Sequence, residues 1–214
     1  MNKILDFLIR VEHKIYITAK RLRLKNRTMT VLSSNCNGAY LLHDLGCPFN
    51  SPTVNLCFQA DHFLKFVNNP EKYLSEDLLE THLPDITYPV GQLDDILLFF
   101  MHYGSFAEAQ EAWKRRSGRV DLNNVYVIMT DKDGCTYEHI KQFDELPYKN
   151  KVIFTHKEYP EFKSAYYIPG FEDDGEVGIL SDWKPQLLRR RWLDDFDSVR
   201  FFNQNANKGK VKLL

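Results

Sequence analysis

The sequence predicts an α/β protein: a Rossmann-like open, mostly parallel sheet with helices on both faces, preceded by an N-terminal basic amphipathic helix. Three observations predict it. Short β-branched or apolar runs stand at 30–34, 96–101, 125–129 and 151–155, and strands that read as continuous apolar runs are those buried on both faces of a parallel sheet. Between them lie segments whose apolar residues recur every three or four positions, the period of a helix. Strand, helix, strand, helix, strand is the order that crossover connections give a parallel sheet.

The elements follow in chain order. Ile4, Leu5, Leu8, Val11 and Ile15 space a helix over 3–25, and Lys14, Lys20, Arg21, Arg23, Lys25 and Arg27 crowd its second half. Such a helix either lies on an anionic membrane surface or packs on the domain with its cations near the C-terminus, where the macrodipole favours them. The packed arrangement is the commoner one. Thr28 to Ser34 is a short β-branched strand, Gly38 to Leu45 a short helix ended by Gly46, and Cys47 to Thr53 a proline-rich loop. Helices are expected over Gln59 to Asn68 and Tyr73 to Leu83. Asp95 to His102 reads as a buried strand. Ser105 with Glu108 three residues on is a capping box, opening a helix that ends near Gly118. Asn124 to Met129 and Lys151 to Thr155 are strands, Tyr137 to Leu146 is a helix between them, and Ala165 to Ile168 is a fifth strand. The division is 1–27 basic N-terminal helix, 28–170 α/β catalytic-type domain and 171–214 C-terminal extension packed on it. The basic groups of that extension, Arg189 to Arg191 and Lys208, Lys210 and Lys212, are expected on the solvated surface.

Composition narrows the function. The chain has 214 residues, 43% hydrophobic and 27% charged, with net charge −1. This is ordinary globular composition. Its longest unbroken apolar run, Ile96 to Met101, is far short of the roughly 20 residues that span a bilayer. No signal-peptide pattern is read at the N-terminus. Four cysteines in no CxxC pair read as free thiols in a reducing cytoplasm. Residues 1–27 hold eight Lys/Arg against two Asp/Glu, a surplus of six, which leaves the rest of the chain at −7. An acidic body speaks against a nucleic-acid partner, which requires a basic face. GxGxxG, GxxxxGK[ST], HExxH and GxSxG are all missing, which removes standard dinucleotide enzymes, P-loop kinases, zincins and ordinary α/β-hydrolases.

In open α/β sheets, ligands bind beyond the carboxyl ends of the strands. Candidate residues therefore follow each strand: Ser34, Asn35 and Cys36 after the first, His102 and Tyr103 after the second, Asp131 to Gly134 after the third, and His156 after the fourth. Cys36, at a helix N-terminus, is placed to gain thiolate character. His102 would serve as its base and Asp131 would orient that base, the arrangement of an activated nucleophile. His43, beside Leu41, Leu42 and Leu45, reads first as a core histidine and second as a substrate contact. Asp131 and Asp133 form an Asp-x-Asp pair suited to Mg²⁺ or Mn²⁺; a plain turn before Gly134 is the competing reading. Asn50, Ser51, Thr53 and Asn55 surround Pro52 as a loop able to hydrogen-bond a hydroxyl-rich ligand. Trp113, at helical spacing, is a core residue.

Ser34 to Gly38, His43 to Gly46 and Asn50 to Leu56 together resemble a bacterial family of unknown-function domains usually labelled exopolysaccharide biosynthesis proteins. Pro89 to Gly91, His102-Tyr103, the Ala109 to Arg116 helix, Phe143 to Pro147 and Lys151 to Thr155 also fit, so the resemblance spans Thr28 to Ile168. It implies an α/β fold and a setting in surface-polysaccharide gene clusters, and some members are labelled acetyltransferases. It supplies no catalytic residues.

The reading is a cytoplasmic enzyme of exo- or capsular polysaccharide biosynthesis, working at the inner face of the membrane. It would be a Cys36-dependent acyl transferase with His102 and Asp131, taking an acyl donor such as acetyl-CoA. Its acceptor would be a carbohydrate or lipid-linked sugar held by Ser34, Asn35, His43, Asn50, Ser51, Thr53, Asn55, Tyr103 and His156. The first rival is a metal-dependent glycosyltransferase using a nucleotide sugar with Mg²⁺ or Mn²⁺ on Asp131 and Asp133. The second is a non-catalytic sugar-binding or assembly protein. Peripheral membrane contact is assigned to residues 14–27.

Overall fold

Four strands form one fully parallel sheet: β1 (Thr30–Ser33), β5 (Val125–Thr130), β6 (Lys151–Thr155) and β7 (Ala165–Tyr167), side by side in that order. The computed structural model describes residues 3–185 and 190–204. Around the sheet, in chain order, lie α1 (Lys3–Arg23), α2 (Asn37–Leu45), α3 (Ala60–Asn68), α4 (Pro70–Ser75), α5 (Phe106–Ser117), α6 (Tyr137–Glu145) and α7 (Ser198–Asn203). A second, antiparallel sheet contains β2 (Leu79–Thr81), β3 (Val90–Leu93) and β4 (Ile96–Phe99). The fold is thus mixed α/β around a parallel four-stranded sheet. Its strand order runs one way, without the reversal that creates the binding crevice of doubly wound sheets.

The period of two along each strand explains the layers. Leu32, Val127, Met129 and Ile153 point to one face, where Phe63 and Phe66 of α3, Trp113 of α5, Ile140 and Phe143 of α6 and the antiparallel sheet bury them. Val31, Tyr126, Ile128, Val152 and Phe154 point to the other, under Leu41, Leu42 and Leu45 of α2 and the tail residues Leu180, Leu193, Val199 and Phe202. Both faces are covered, so the strands carry no polar alternation.

Several expectations are corrected. Within the segment 96–101, Ile96–Phe99 is an extended, largely buried strand, but it does not join the parallel sheet. It returns on β3 through the two-residue turn Asp94-Asp95, with Asp94 at φ 48°. Local hairpin closure captures β4 before a crossover can form. The helix expected over Tyr73 to Leu83 stops at Ser75, and Leu79–Thr81 is an edge strand. Ser105 caps α5 by accepting the Glu108 N–H, but the Glu108 carboxylate reaches back to the Gly104 N–H rather than to Ser105, so the box is displaced by one residue.

Arg191 is not solvated. At 8% exposure it lies between Asp44 of α2 and Asp194, with Nη2 2.8 Å from Asp194 Oδ1. His13 of α1 meets the same Asp194 at 3.2 Å. This buried ion cluster fastens the tail to α1 and α2, which is why the arginine is drawn inward. Arg190 pairs with Glu12; Arg189, Lys208, Lys210 and Lys212 lie outside the described residues. Among the described residues, no helix is long and apolar enough to cross a membrane.

Candidate functional site

The carboxyl edge of the parallel sheet gathers three of the four expected segments: Ser34-Asn35-Cys36 after β1, Thr130 to Gly134 after β5, and His156 after β6. The fourth, His102-Tyr103, follows β4 and approaches from the antiparallel sheet. A bridge between Cys57 and Phe99 and the Phe58 N–H on the Ser34 carbonyl at 2.9 Å hold the two sheets together at this edge.

The turn from β1 into α2 is fixed by small side chains. Asn35 Nδ2 donates to Thr130 Oγ1 at 2.8 Å, and Asn35 Oδ1 accepts the Asn37 N–H at 3.2 Å. Ser33 Oγ accepts the Gly38 N–H at 3.1 Å. Gly38 has to be glycine here, since a Cβ would stand 2.6 Å from Ser33 Cβ. Ser34 is buried through its backbone, yet its hydroxyl makes no hydrogen bond among the described residues.

Asp131 is the most heavily engaged group at this edge. Its Oδ2 accepts the backbone N–H of His156 at 2.8 Å and His156 Nδ1 at 2.6 Å. Its Oδ1 accepts the Val177 N–H at 2.8 Å. Lys132 Nζ clamps the same loop from the other side, donating to Glu176 Oε1 at 2.7 Å and the Val177 carbonyl at 2.9 Å. With Nδ1 donating to a carboxylate, the imidazole's lone pair lies on Nε2, which makes no hydrogen bond among the described residues. Asp131 therefore orients His156, not His102 as expected from the sequence. The reason is position: Asp131 and His156 directly follow neighbouring strands β5 and β6, whereas His102 follows a strand of the other sheet.

Two cavities flank the edge. The smaller, about 400 Å³, is lined by Cys36, Tyr40, His43, Phe49, Asn55 and His102. The larger, about 790 Å³, includes Cys57, Gln59, Asp61, Tyr88, Met101 and Asp133. Consecutive residues Met101 and His102 line one each, so the two cavities lie on either side of this turn.

At Cys36, burial works against the thiolate character expected from the start of the helix. Burial pushes the Cys36 thiol up, and no cation offsets it. Its position beginning α2 supplies no side-chain cap bond. Cys57 and Cys135 are pushed up to about 12, by burial first and then by the Asp133 carboxylate at Cys57 and by those of Asp131 and Asp133 at Cys135. His102 is exposed and has no hydrogen-bond partner among the described residues. His43 is not a core histidine: its side chain is 78% exposed at the mouth of the smaller cavity, because the helix face it shares with Tyr40 turns outward.

The proline loop is structural. Thr53 Oγ1 accepts the Ser33 N–H at 2.9 Å and donates to the Val31 carbonyl at 3.3 Å, and Ser51 Oγ supports it at 3.0 Å. β1 is an edge strand, and its outer backbone groups require partners; Ser51 and Thr53 are consumed in supplying them. Asn50 reaches only the Thr28 carbonyl, at 3.4 Å. Of this loop, Asn55, at φ 62°, lines the smaller cavity. Tyr103 is likewise occupied: its hydroxyl donates to the Val54 carbonyl at 3.1 Å and accepts from Arg116.

The Asp-x-Asp pair is split by its own hydrogen bonds. Both oxygens of Asp131 face N–H donors, which leaves a divalent cation only Asp133 of the two. Burial raises the Asp133 carboxyl, with Lys132 pulling it back and Glu176 adding to the rise. Asp133 and Gly134, at φ 58° and 81°, sit in a turn closed by the Cys135 N–H on the Lys132 carbonyl at 3.1 Å, the backbone signature of a type I′ turn.

The residues that sequence reasoning missed are Glu176 and Val177, which close the clamp with Lys132. No local motif marks them, since Val177 meets Asp131 from 46 residues away.

A family model described as a domain of unknown function (DUF1919) matches residues 8–203. An uncharacterized protein of Haemophilus influenzae is 48% identical over 184 residues, covering 85% of this chain and 87% of that protein. The matched span takes in α1 and α7 as well as the sheet, beyond the Thr28 to Ile168 stretch of the sequence resemblance.

Proposed function

The chain belongs to the family described as a domain of unknown function (DUF1919), and from that premise we propose that it is a bacterial transferase of surface-polysaccharide biosynthesis, moving an acyl group onto a sugar hydroxyl. The observation that carries this reading is the pairing of His156 with Asp131 at the carboxyl edge of the sheet, which leaves Nε2 without a hydrogen-bond partner among the described residues. A histidine held in one tautomer by a carboxylate presents its other ring nitrogen as a general base. The acceptor O–H gives its proton to Nε2 as its oxygen attacks the carbonyl of an acyl thioester such as acetyl-CoA. The C–S bond then breaks, and the departing thiolate takes the proton back from the imidazolium. The free Ser34 hydroxyl and Asn35, at the end of β1, hold the acceptor sugar, and the two cavities hold donor and acceptor. The acceptor is a carbohydrate or a lipid-linked sugar, met at the cytoplasmic face of the membrane. The polysaccharide setting rests on the sequence resemblance alone.

A second reading keeps Cys36 as an acyl carrier with His102 as base. The shared cavity of Cys36, His43 and His102 favours it; the raised thiol opposes it. The metal-dependent glycosyltransferase is the weakest of the three, because the Asp131 oxygens already face N–H donors.

The test is genetic and chemical. The gene is deleted in its bacterium, restored as wild type, His156→Ala or Cys36→Ser, and the surface polysaccharide is analysed by mass spectrometry. The expected result is loss of an acyl substituent on deletion, restored by wild type and Cys36→Ser but not by His156→Ala. An unchanged polysaccharide overturns the function; restoration by His156→Ala overturns the base. A missing sugar in place of a missing acyl group selects the glycosyltransferase.

A further inference from the structure

α1 packs on the domain with its polar face inward. Ile17, Lys20 and Leu24 are its buried residues among those described, with His13 and Tyr16 half-buried beside them. Its anchors are polar: His13 and the Tyr16 hydroxyl on Asp194 at 3.2 and 3.1 Å, Glu12 on Arg190 at 2.7 Å, and Arg21 on the Asp44 carbonyl at 2.5 Å. Lys25 N–H and the Arg23 carbonyl both bond the Asn203 side chain, at 2.8 and 3.0 Å. The apolar face is therefore left outside. Phe7, Leu8, Val11, Ile15 and Leu22 are 40–82% exposed, and at 100° per residue they fall in one sector about 100° wide. Exposed Arg10 and Lys14 run along one margin of that sector, Arg23 lies beyond the other, and exposed Lys25 follows the helix end.

We propose that this outward stripe of α1 inserts into the interface of an anionic lipid bilayer, with the chain resting on the membrane through α1. An apolar sector of this width, margined by Lys and Arg, is the form of helix that lies in the headgroup plane. The charge distribution selects anionic lipid. Residues 1–27 carry a surplus of six positive charges on a chain whose remainder is −7. A second copy docked stripe to stripe would bring two such segments together, and repulsion between them opposes that occupant. Anionic headgroups instead attract each basic margin residue while the acidic body stays in water. The inference does not depend on the transferase reading.

The experiment is co-sedimentation of the full chain with phosphatidylcholine vesicles and with vesicles containing phosphatidylglycerol, over a salt series. Two variants are used: Leu8→Ser/Ile15→Ser/Leu22→Ser, which changes exposed residues only, and Arg10→Gln/Lys14→Gln/Lys25→Gln. Circular dichroism establishes that both fold. The expected result is binding to the anionic vesicles that falls with salt, weakened about 100-fold by the loss of three basic residues and abolished in the serine variant. Equal sedimentation with neutral and anionic vesicles, or none with either, overturns the proposal. So does a self-association that the serine variant removes without any vesicle binding, which would assign the stripe to a second copy.

Discussion

Asp131 and His156 stand at the ends of adjacent parallel strands, and a single oxygen, Asp131 Oδ2, accepts both the imidazole Nδ1 and the backbone N–H of His156. Two attachments to one atom fix the place and the tilt of the ring together. The clamp of Lys132 on Glu176 and Val177 closes the far side of the carboxylate, so the pair is held from three directions by β5, β6 and the tail. Such support is what a catalytic base requires, and a surface histidine such as His102 does not have it.

Replacing Asp131 with Asn tests that support. An amide offers one acceptor oxygen where three N–H groups point, so at least one donor faces an NH₂. The fold should lose about 1–3 kcal/mol, read by thermal or urea unfolding. Acyl transfer should fall by roughly 10²–10⁴-fold, the usual worth of a general base. His156→Asn should lose the same activity with a smaller loss of stability, because the Asn amide can still donate to Asp131 Oδ2 in place of Nδ1. Full activity in either variant sinks the assignment of His156.

Thiol reactivity has a defined order. Burial raises Cys36, and raises Cys57 and Cys135 to about 12, so each carries less thiolate than a free cysteine at any pH below its own value. Alkylation by iodoacetamide at pH 8, followed by peptide mapping, should be slower at all three than in the urea-unfolded chain. Cys57 and Cys135 should trail Cys36, and rates should climb as pH rises toward 12. A Cys36 that outpaces the unfolded chain at neutral pH would restore the nucleophile reading.

The ion cluster between α1, α2 and the tail separates a useful charge from a costly one. Arg191 bridges Asp44 and Asp194, and Asp194 is held well below the usual carboxylate range by His13 and Arg191 in spite of burial. Arg191→Met leaves two buried carboxylates without their bridge and should cost about 3–5 kcal/mol. Lys20 is different. It makes no hydrogen bond or ion pair among the described residues and stands 5.0 Å over the Tyr16 ring, and burial lowers its pKa despite attraction from Asp194 and Asp44. A lowered lysine means that the unfolded chain binds its proton more tightly, so the charged form costs stability near neutral pH, and stability is regained as pH rises through the folded value toward 10.5. Lys20→Met should therefore raise stability at pH 7 by about 1 kcal/mol. That advantage should shrink in the alkaline range. Above pH 10 the raised Tyr16, at about 12, acts in the opposite sense, since stability is lost as pH climbs through its folded value. Calorimetry across pH 6–11 reads both slopes.

What was legible in the sequence follows from the range of the forces involved. β1, β5 and β6 were readable because strands buried on both faces carry apolar or β-branched runs, the half-buried edge strand β7 because it is short and aromatic, and α3, α5 and α6 because their periodicity is local. β3 was not, because Gly91 and Gln92 interrupt its pattern and the hairpin turn uses two aspartates rather than glycine. The residues of the site were named, but their partnership was not. Asp131 was assigned to His102 because both end apolar strands, and only the strand order shows that His156 is the neighbour. The stripe of α1 was seen in Leu8, Val11 and Ile15, while the sequence left open whether it faces the domain or turns outward. An apolar face normally packs inward, and here Asp194 and Asn203, more than 170 residues away, bind the polar face instead.

Thr53 separates structure from ligand binding most sharply. The sequence placed it among sugar contacts, whereas its hydroxyl takes the Ser33 N–H and gives its proton to the Val31 carbonyl along the outer edge of β1. Valine has nearly the same shape, so Thr53→Val changes hydrogen bonding without opening a cavity. It leaves one N–H and one carbonyl of β1 unpaired in a fully buried place, and Ser51 Oγ loses its acceptor. The expected cost is about 1–3 kcal/mol, a fall of roughly 2–4 °C in Tm per kcal/mol for a chain of this size. Hydrogen exchange should locate the loss at the Ser33 amide. Because β1 leads directly into Ser34, Asn35 and Cys36, a loosened edge should weaken acceptor binding in KM more than it lowers kcat. If the variant melts like wild type and the Ser33 amide stays protected while transfer disappears, Thr53 touches substrate after all, and the loop belongs to the site rather than to the sheet.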